Sequence, residues 1–208
     1  GGSATVHFPI WHQEIEDILV LKNNKGTEDN RVRKLDYSIQ ISKLFYERFI
    51  ASEDISLFSP HDVPGLYDAF GTDGFDELYR QYESDQTIPR KTIAAQELIL
   101  DLLKERAETG RIYIMNIDHC NEHSSFKDKV NMSNLCQEIT LPTDPIQHID
   151  GDGEIALCIL SAINVGKLRN LDEMEELCDL AVRALDELID YQGYPVEAAR
   201  ISTLARRS

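Results

Sequence analysis

Segments with strand-like sequence alternate with helix-like segments along most of this chain. Apolar and β-branched residues at every second position indicate the strands, and apolar residues three or four apart indicate the helices. The predicted strands are 4–8, 37–41, 55–58 and 111–117. The predicted helices are 14–21, 43–50, 63–70, 74–82, 92–108 and a long one capped near Asn170. This order predicts an α/β fold, and no repeat or linker suggests a domain boundary within the 208 residues.

The most reactive stretch is 134–138, which reads Asn-Leu-Cys-Gln-Glu. If it is extended, Asn134, Cys136 and Glu138 share one face. That face would combine a hydrogen-bonding amide, a sulfur able to react as thiolate or radical, and a carboxylate able to move a proton. The same alternation is typical of a half-buried strand with one core cysteine, and spacing alone favours that simpler interpretation.

Charge and cysteine content limit the class of protein. A net charge of −16 argues against binding to nucleic acid or to an anionic membrane, since both would be repelled. No apolar run reaches the length of a membrane span, and we expect no secretion leader. The four cysteines are therefore expected to be intracellular thiols in the cytoplasm rather than a disulfide framework.

The cysteines also permit interpretations without redox chemistry, as zinc ligands or as core residues. His119, Cys120 and His123, with Cys136, could form a zinc site in an intracellular interaction module, although their spacing fits no standard zinc motif. Cys158 lies in the apolar run 155–163, and Cys178 lies on the apolar stripe of the helix after Asn170. Sequence alone predicts that both are inert core cysteines.

Three longer motifs bear a resemblance to a known family. They are Arg-Ile-Tyr-Ile-Met-Asn-Ile-Asp-His-Cys at 111–120, Ser-Asn-Leu-Cys-Gln-Glu-Ile-Thr-Leu-Pro-Thr at 133–143, and Gly-Glu-Ile-Ala-Leu-Cys-Ile-Leu-Ser-Ala-Ile-Asn at 153–164. In this order they resemble the catalytic large subunit of class I ribonucleoside-diphosphate reductase, in the form carried by tailed bacteriophages and enteric bacteria. The family's chain is several times longer, so residues 1–208 are expected to be an internal fragment of its catalytic barrel domain, without the upstream and downstream parts.

The resemblance implies a specific architecture. It places the chain in a ten-stranded α/β barrel made of two half-barrels of parallel strands, with a finger loop that carries Cys136 through the middle. Gly1 and Gly2 would end a loop that relays the identity of the bound effector nucleotide to the substrate pocket. Periodicity supports α/β but does not by itself predict the barrel or the finger loop.

The resemblance also implies a role for each site residue. Cys136 would form a transient thiyl radical, Glu138 would accept the proton of the ribose 3′-hydroxyl, and Asn134 would bind the substrate hydroxyls. Leu135 and Gln137 would complete the substrate-binding stretch. Cys158 would be one half of a redox-active dithiol whose partner lies upstream of Gly1, and its sulfur would face a common cleft with Cys136.

The implied activity is the radical-based reduction of ribonucleoside diphosphates to 2′-deoxyribonucleoside diphosphates for DNA synthesis. No metal or cofactor would be bound directly, because a separate metal-containing small subunit supplies the radical. Thioredoxin or glutaredoxin would supply electrons, and ATP and deoxynucleotides would act as effectors of a homodimer completed by the remaining large-subunit segments. The compartment would be the cytoplasm, or the host cytoplasm for a phage protein. The isolated chain is expected to be inactive.

Overall fold

The computed structural model describes residues 4–23, 31–32, 34–148, 151 and 153–205. Its contacts divide the chain into a first unit, 1–140, and a second unit, 141–208. Gly1 and Gly2 lie outside the described residues, so the effector-relay prediction is not addressed. Within the described ranges, no helix is both long and apolar enough to cross a membrane.

Within the described residues of the first unit, five short strands form two sheets. The strands are β1 Thr5–Pro9, β2 Asp36–Ile41, β3 Asp54–Leu57, β4 Lys91–Ala94 and β5 Ile112–Asn116. β1, β2 and β5 form a parallel sheet in the order β1-β2-β5, whereas β3 and β4 pair antiparallel. In the parallel sheet His7 lies beside Ser38, and Ser38 beside Tyr113.

Among the described residues, five helices connect these strands, a sixth follows β5, and two more belong to the second unit. The helices of the first unit are α1 Ile15–Leu19, α2 Lys43–Ala51, α3 Leu66–Ala69, α4 Phe75–Ser84, α5 Ala95–Thr109 and α6 Ile117–Glu122. The second unit contains a 3-10 turn at Val165–Lys167 followed by α7 Asp172–Tyr191 and α8 Glu197–Leu204. Parallel strands joined by helices confirm the predicted α/β class.

The two faces of the parallel sheet differ in polarity because side chains alternate along each strand. One face carries Ile39, Ile41 and Ile112, which are buried in the same cluster as residues of α2 and α5 such as Phe45 and Leu102. The opposite face carries the polar side chains Thr5, His7, Ser38, Gln40 and Tyr113. We call these five residues the polar face.

Two segments of the first unit differ from the sequence prediction. The helix predicted at 92–108 begins only at Ala95, because 91–94 pair with β3 and place Ile93 beside Ile55. The predicted strand 111–117 ends at Asn116, because α6 begins at Ile117. A four-residue strand that pairs with a distant segment leaves little local signal.

Cys178 is exposed, so the prediction that it belongs to the core is wrong. The long helix itself is confirmed, and the Glu173 amide donates to Asn170 Oδ1 at 3.1 Å as expected of a cap. Leu177 and Leu188 of the same stripe are also exposed, by 37% and 50%. Apolar periodicity indicates that a face suits packing, but it does not say that this chain covers the face.

Candidate functional site

The segment that carries Cys136 is hydrogen-bonded to the polar face through alternate backbone carbonyls. Gln40 Nε2 donates to the Asn131 carbonyl at 2.6 Å, and Thr5 Oγ1 donates to the Leu135 carbonyl at 2.7 Å. Between them, His7 Nε2 lies 3.1 Å from the Ser133 carbonyl oxygen. We call residues 131–139 the Cys136 loop. Side chains of β1 and β2 therefore fix its path across the sheet.

The Cys136 loop reverses direction in a tight turn. The Gln137 amide donates to the Asn134 carbonyl at 3.2 Å, and the Ile139 amide donates to Asn134 Oδ1 at 3.1 Å. Ser133 Oγ donates to the Ile139 carbonyl at 2.5 Å, and Gln137 has a left-handed φ of +64°. The condition under which Asn134, Cys136 and Glu138 would share one face, an extended 134–138, is therefore not met, because the Asn134 side chain bonds to the backbone of its own loop.

This turn changes how the predicted site residues are presented. Cys136 and Glu138 are exposed, and Asn134 is half-buried. Since the segment is not a strand, these three side chains do not share a face through strand alternation. Their convergence on a substrate stays a prediction. The turn places an exposed thiol, Cys136, two residues before an exposed carboxylate, Glu138.

Leu135 and Gln137 contact the sheet in different ways. Leu135 uses its backbone carbonyl, as described above, and 39% of the residue is exposed. Gln137 Nε2 donates to the Ile114 carbonyl of β5 at 2.7 Å. A cavity of about 310 Å³ adjoins this contact and is lined by Ile114, Met115, Asn116, His119, Cys120, Gln137 and Thr140. Another cavity of the first unit, of about 760 Å³, is lined by neither Cys136 nor Glu138.

Burial affects two titratable groups close to the Cys136 loop. Burial lowers the pKa of His7, against the smaller opposing effect of its hydrogen bond to Ser133, so the ring is neutral at pH 7. Burial raises the pKa of the Cys120 thiol, and the nearby Asp118 carboxylate acts in the same direction. Cys120 is therefore a poor nucleophile, since the thiolate is the reactive form.

Cys158 belongs to the second unit, in a stretch where residues 155–163 form neither helix nor strand. It is exposed, so the prediction of a core cysteine from the sequence alone is wrong. Its proximity to Cys136, which belongs to the first unit, stays a prediction.

The zinc alternative finds no support in the structure. His119, Cys120 and His123 lie on or next to α6, where the two imidazole rings are 6.1 Å apart between centroids. Nowhere in the described ranges are three or more His, Cys, Asp or Glu side chains arranged to hold a metal ion.

Sequence reasoning missed the polar side chains that hold the Cys136 loop. Thr5 and His7 alternate along β1, and Ser38 and Gln40 alternate along β2. Two neighbouring strands with polar residues at every second position carry the signal of a polar sheet face. That signal did not reveal which segment packs on the face, since the Cys136 loop lies at least 90 residues further along the chain than either strand.

Comparisons with known proteins agree with the resemblance described for the motifs. The family model for the ribonucleotide reductase barrel domain matches residues 1–208. The chain is 61% identical to the ribonucleoside-diphosphate reductase subunit alpha of Haemophilus influenzae, with 100% of the chain and 28% of the relative covered. It is 56% identical to the ribonucleoside-diphosphate reductase 1 subunit alpha of Escherichia coli over 100% of the chain and 28% of that relative.

A viral relative extends the same pattern. The subunit alpha of Enterobacteria phage T4 is 46% identical over 96% of the chain and 27% of the relative. The chain thus spans a little over a quarter of the length of the curated relatives it matches. With the whole chain matched by the family model, and with parallel strands joined by helices, the chain belongs to the ribonucleotide reductase large-subunit family as a segment of its barrel domain.

Proposed function

We propose that this chain supplies the radical cysteine of an enzyme that reduces ribonucleoside diphosphates to 2′-deoxyribonucleoside diphosphates. The observation that carries the proposal is the exposed Cys136 at a tight turn, held across the polar face of a parallel sheet and followed two residues later by Glu138. A radical cysteine must meet the substrate in a fixed position, and a turn bonded to three strands restricts its motion.

The proposed chemistry divides the work among three side chains. The Cys136 thiyl removes a hydrogen atom from the ribose carbon that bears the 3′-hydroxyl and becomes a thiol. Glu138 accepts the 3′-hydroxyl proton and later returns it to the same oxygen, while the 2′-hydroxyl gains a proton from the Cys158 dithiol and leaves as water. Cys158 and a second thiol supply two electrons and two protons and become a disulfide, and the Cys136 thiol returns its hydrogen atom to the ribose. In the net reaction, a ribonucleoside diphosphate and a dithiol give a 2′-deoxyribonucleoside diphosphate, a disulfide and water.

The proposal includes partners and a compartment. A separate metal-containing small subunit would generate the radical, and thioredoxin or glutaredoxin would reduce the disulfide again. ATP and deoxynucleotide effectors, a homodimer and a cytoplasmic location would follow the family. Asn134 would bind the substrate hydroxyls.

A chimera tests this function directly. This chain replaces the matching segment of the Haemophilus influenzae subunit alpha, and turnover of a ribonucleoside diphosphate is measured with the small subunit and thioredoxin. We expect turnover in the chimera and none in the isolated 208-residue chain. Cys136→Ser should abolish turnover, because an alkoxyl radical is far harder to form than a thiyl, whereas the control Cys178→Ala should remain active.

Glu138→Gln separates binding from chemistry in the same chimera. The amide keeps the size of the side chain but cannot accept the 3′ proton, so kcat should fall while KM stays within about tenfold, or about 1.4 kcal/mol. The control is Glu97→Gln, an exposed carboxylate on α5. An active Cys136→Ser chimera, or a Glu138→Gln chimera with raised KM and unchanged kcat, would contradict the proposal.

A further inference from the structure

Three side chains of the polar face donate or are placed to donate to the Cys136 loop, and they do so in a regular order. Gln40, His7 and Thr5 reach the carbonyls of residues 131, 133 and 135. Every second carbonyl of the segment leading to Cys136 is therefore held by a side chain rather than by a neighbouring strand. The position of the segment therefore depends on individual side chains, and single substitutions can test the contribution of each one.

We propose that Thr5, His7 and Gln40 are positioning residues that set the location of Cys136 above the sheet. This inference rests on the proposed function, since it assigns the three residues to the reaction of Cys136. None of them touches the thiol through a described hydrogen bond. They act through the backbone of residues 131–135, and the turn that follows carries Cys136 with it.

His7 can hydrogen-bond to the loop at Ser133, and its Nε2 atom can make only one of two possible hydrogen bonds to that residue at a time. Nε2 lies 3.1 Å from the Ser133 carbonyl oxygen and 3.3 Å from the Ser133 nitrogen. A neutral ring nitrogen either donates to the first or accepts from the second. Nδ1 is buried and has no hydrogen-bond partner within the described part of the chain, so the Ser133 contact is the one polar interaction that fixes the ring.

The interactions of Thr5 and Gln40 point to the same role. Gln40 is 1% exposed, and its amide reaches the Asn131 carbonyl and the sulfur of Met115. A buried amide on a strand costs free energy unless it is bonded, and here the main bond goes to the Cys136 loop. Thr5 lies nearer the surface, so replacing it leaves the buried cluster intact.

Two pairs of variants of the 208-residue chain test whether these bonds hold the loop. Thr5→Val and His7→Leu remove the hydrogen-bonding atoms with little change of size, whereas Thr5→Ser and His7→Gln keep a donor in place. Hydrogen exchange of the peptide 131–139, measured by mass spectrometry, should rise about fivefold in each of the first two variants, the factor for one typical hydrogen bond. It should return to near the wild-type rate in Thr5→Ser and His7→Gln.

His12→Leu is the matched control. His12 is another half-buried histidine of the first unit, and its Nδ1 accepts from the Glu14 amide rather than from the loop. Its replacement should leave exchange of 131–139 unchanged. Wild-type exchange in both Thr5→Val and His7→Leu, or failure of Ser and Gln to restore protection, would overturn the inference. Thr5→Val keeps the test decisive if His7→Leu does not fold.

The same variants in the chimera separate a positioning role from a structural one. A displaced Cys136 should lower kcat with little change in KM, and Thr5→Ser and His7→Gln should recover it. Faster loop exchange with unchanged kcat would overturn the role in the reaction. If the unsubstituted chimera has no turnover, the proposed function fails, while hydrogen exchange still decides whether these residues hold the loop.

Discussion

Tyr79 is fully buried, and its hydroxyl makes two hydrogen bonds to the backbone of Ser56. It accepts from the Ser56 amide at 2.9 Å and donates to the Ser56 carbonyl at 2.7 Å, which ties α4 to β3. Burial also raises the pKa of Tyr79, so the phenol stays protonated at any moderate pH. The hydroxyl therefore acts as a permanent link between α4 and both backbone groups of Ser56.

We expect Tyr79→Phe to lower the free energy of unfolding by about 1–3 kcal/mol, because two buried backbone groups lose their partner. Denaturant unfolding followed by circular dichroism measures the change. Tyr82→Phe is the control, since the Tyr82 hydroxyl donates to the Pro64 carbonyl at an exposed position and should cost much less. Equal losses in the two variants would contradict the importance of the Ser56 bonds.

His7 should make stability depend on pH. Burial lowers its pKa below 6.5, the value of an unburied histidine. Below pH 6.5 the unfolded chain therefore binds a proton that the folded chain resists, and stability falls as the pH decreases through the folded pKa. The unfolding free energy of the wild type should drop more between pH 7.5 and 5.5 than that of His7→Gln. His12 and the carboxylates remain in both proteins, so a difference of zero would rule out a buried, neutral His7.

At the scale of elements, α2 receives its cap from another helix. Ser42 is its N-cap residue but makes no side-chain cap bond, and the Lys43 amide instead donates to Asp118 Oδ2 of α6 at 2.6 Å. A carboxylate at the start of a helix is also favoured by the helix dipole. Asp118 thus joins α6 to α2 at the carboxyl ends of β2 and β5.

Asp118→Ala should therefore lower the free energy of unfolding by about 1 kcal/mol, the usual cost of a lost N-cap. Asp118→Asn should cost less, because it keeps an acceptor and loses only the charge. Ser42→Ala is the matched control and should change stability by less than about 0.5 kcal/mol. A larger loss for Ser42→Ala than for Asp118→Ala in denaturant unfolding would show that the cap lies at Ser42 after all.

Local sequence predicted the elements whose signal is local. Alternation located β1, β2 and β5, and three-to-four spacing located α2, α4 and α5, to within a few residues. β4 was missed because only its pairing with β3 makes Lys91–Ala94 a strand. The turn at 134–137 was missed because the hydrogen bond from the Ile139 amide to the Asn134 side chain favours a turn over an extended backbone. The motif containing Cys136 identified the site, but its link to Thr5, His7 and Gln40 depends on contacts distant in sequence.

At the scale of the whole molecule, apolar burial is unevenly distributed. The buried cluster extends from Ile10 to Val130 and lies within the first unit. In the described part of the second unit, the buried apolar residues are Pro142, Ile189, Ala198 and Ala199. Because burial of apolar area is the main stabilising contribution, and a helix with an exposed apolar stripe gains little from it, the second unit should be the less stable one.

We therefore expect the amides of α7 to exchange through an opening of much lower free energy than the amides of α5. Native-state hydrogen exchange at increasing denaturant measures both values. Leu102→Ala, in the buried cluster at 1% exposure, should lower the opening free energy of α5 by about 2–5 kcal/mol and leave that of α7 unchanged. Ile189→Ala, at 8% exposure, should have the opposite selectivity. If both substitutions lower protection equally in α5 and α7, the two units unfold together, and the uneven burial does not govern stability.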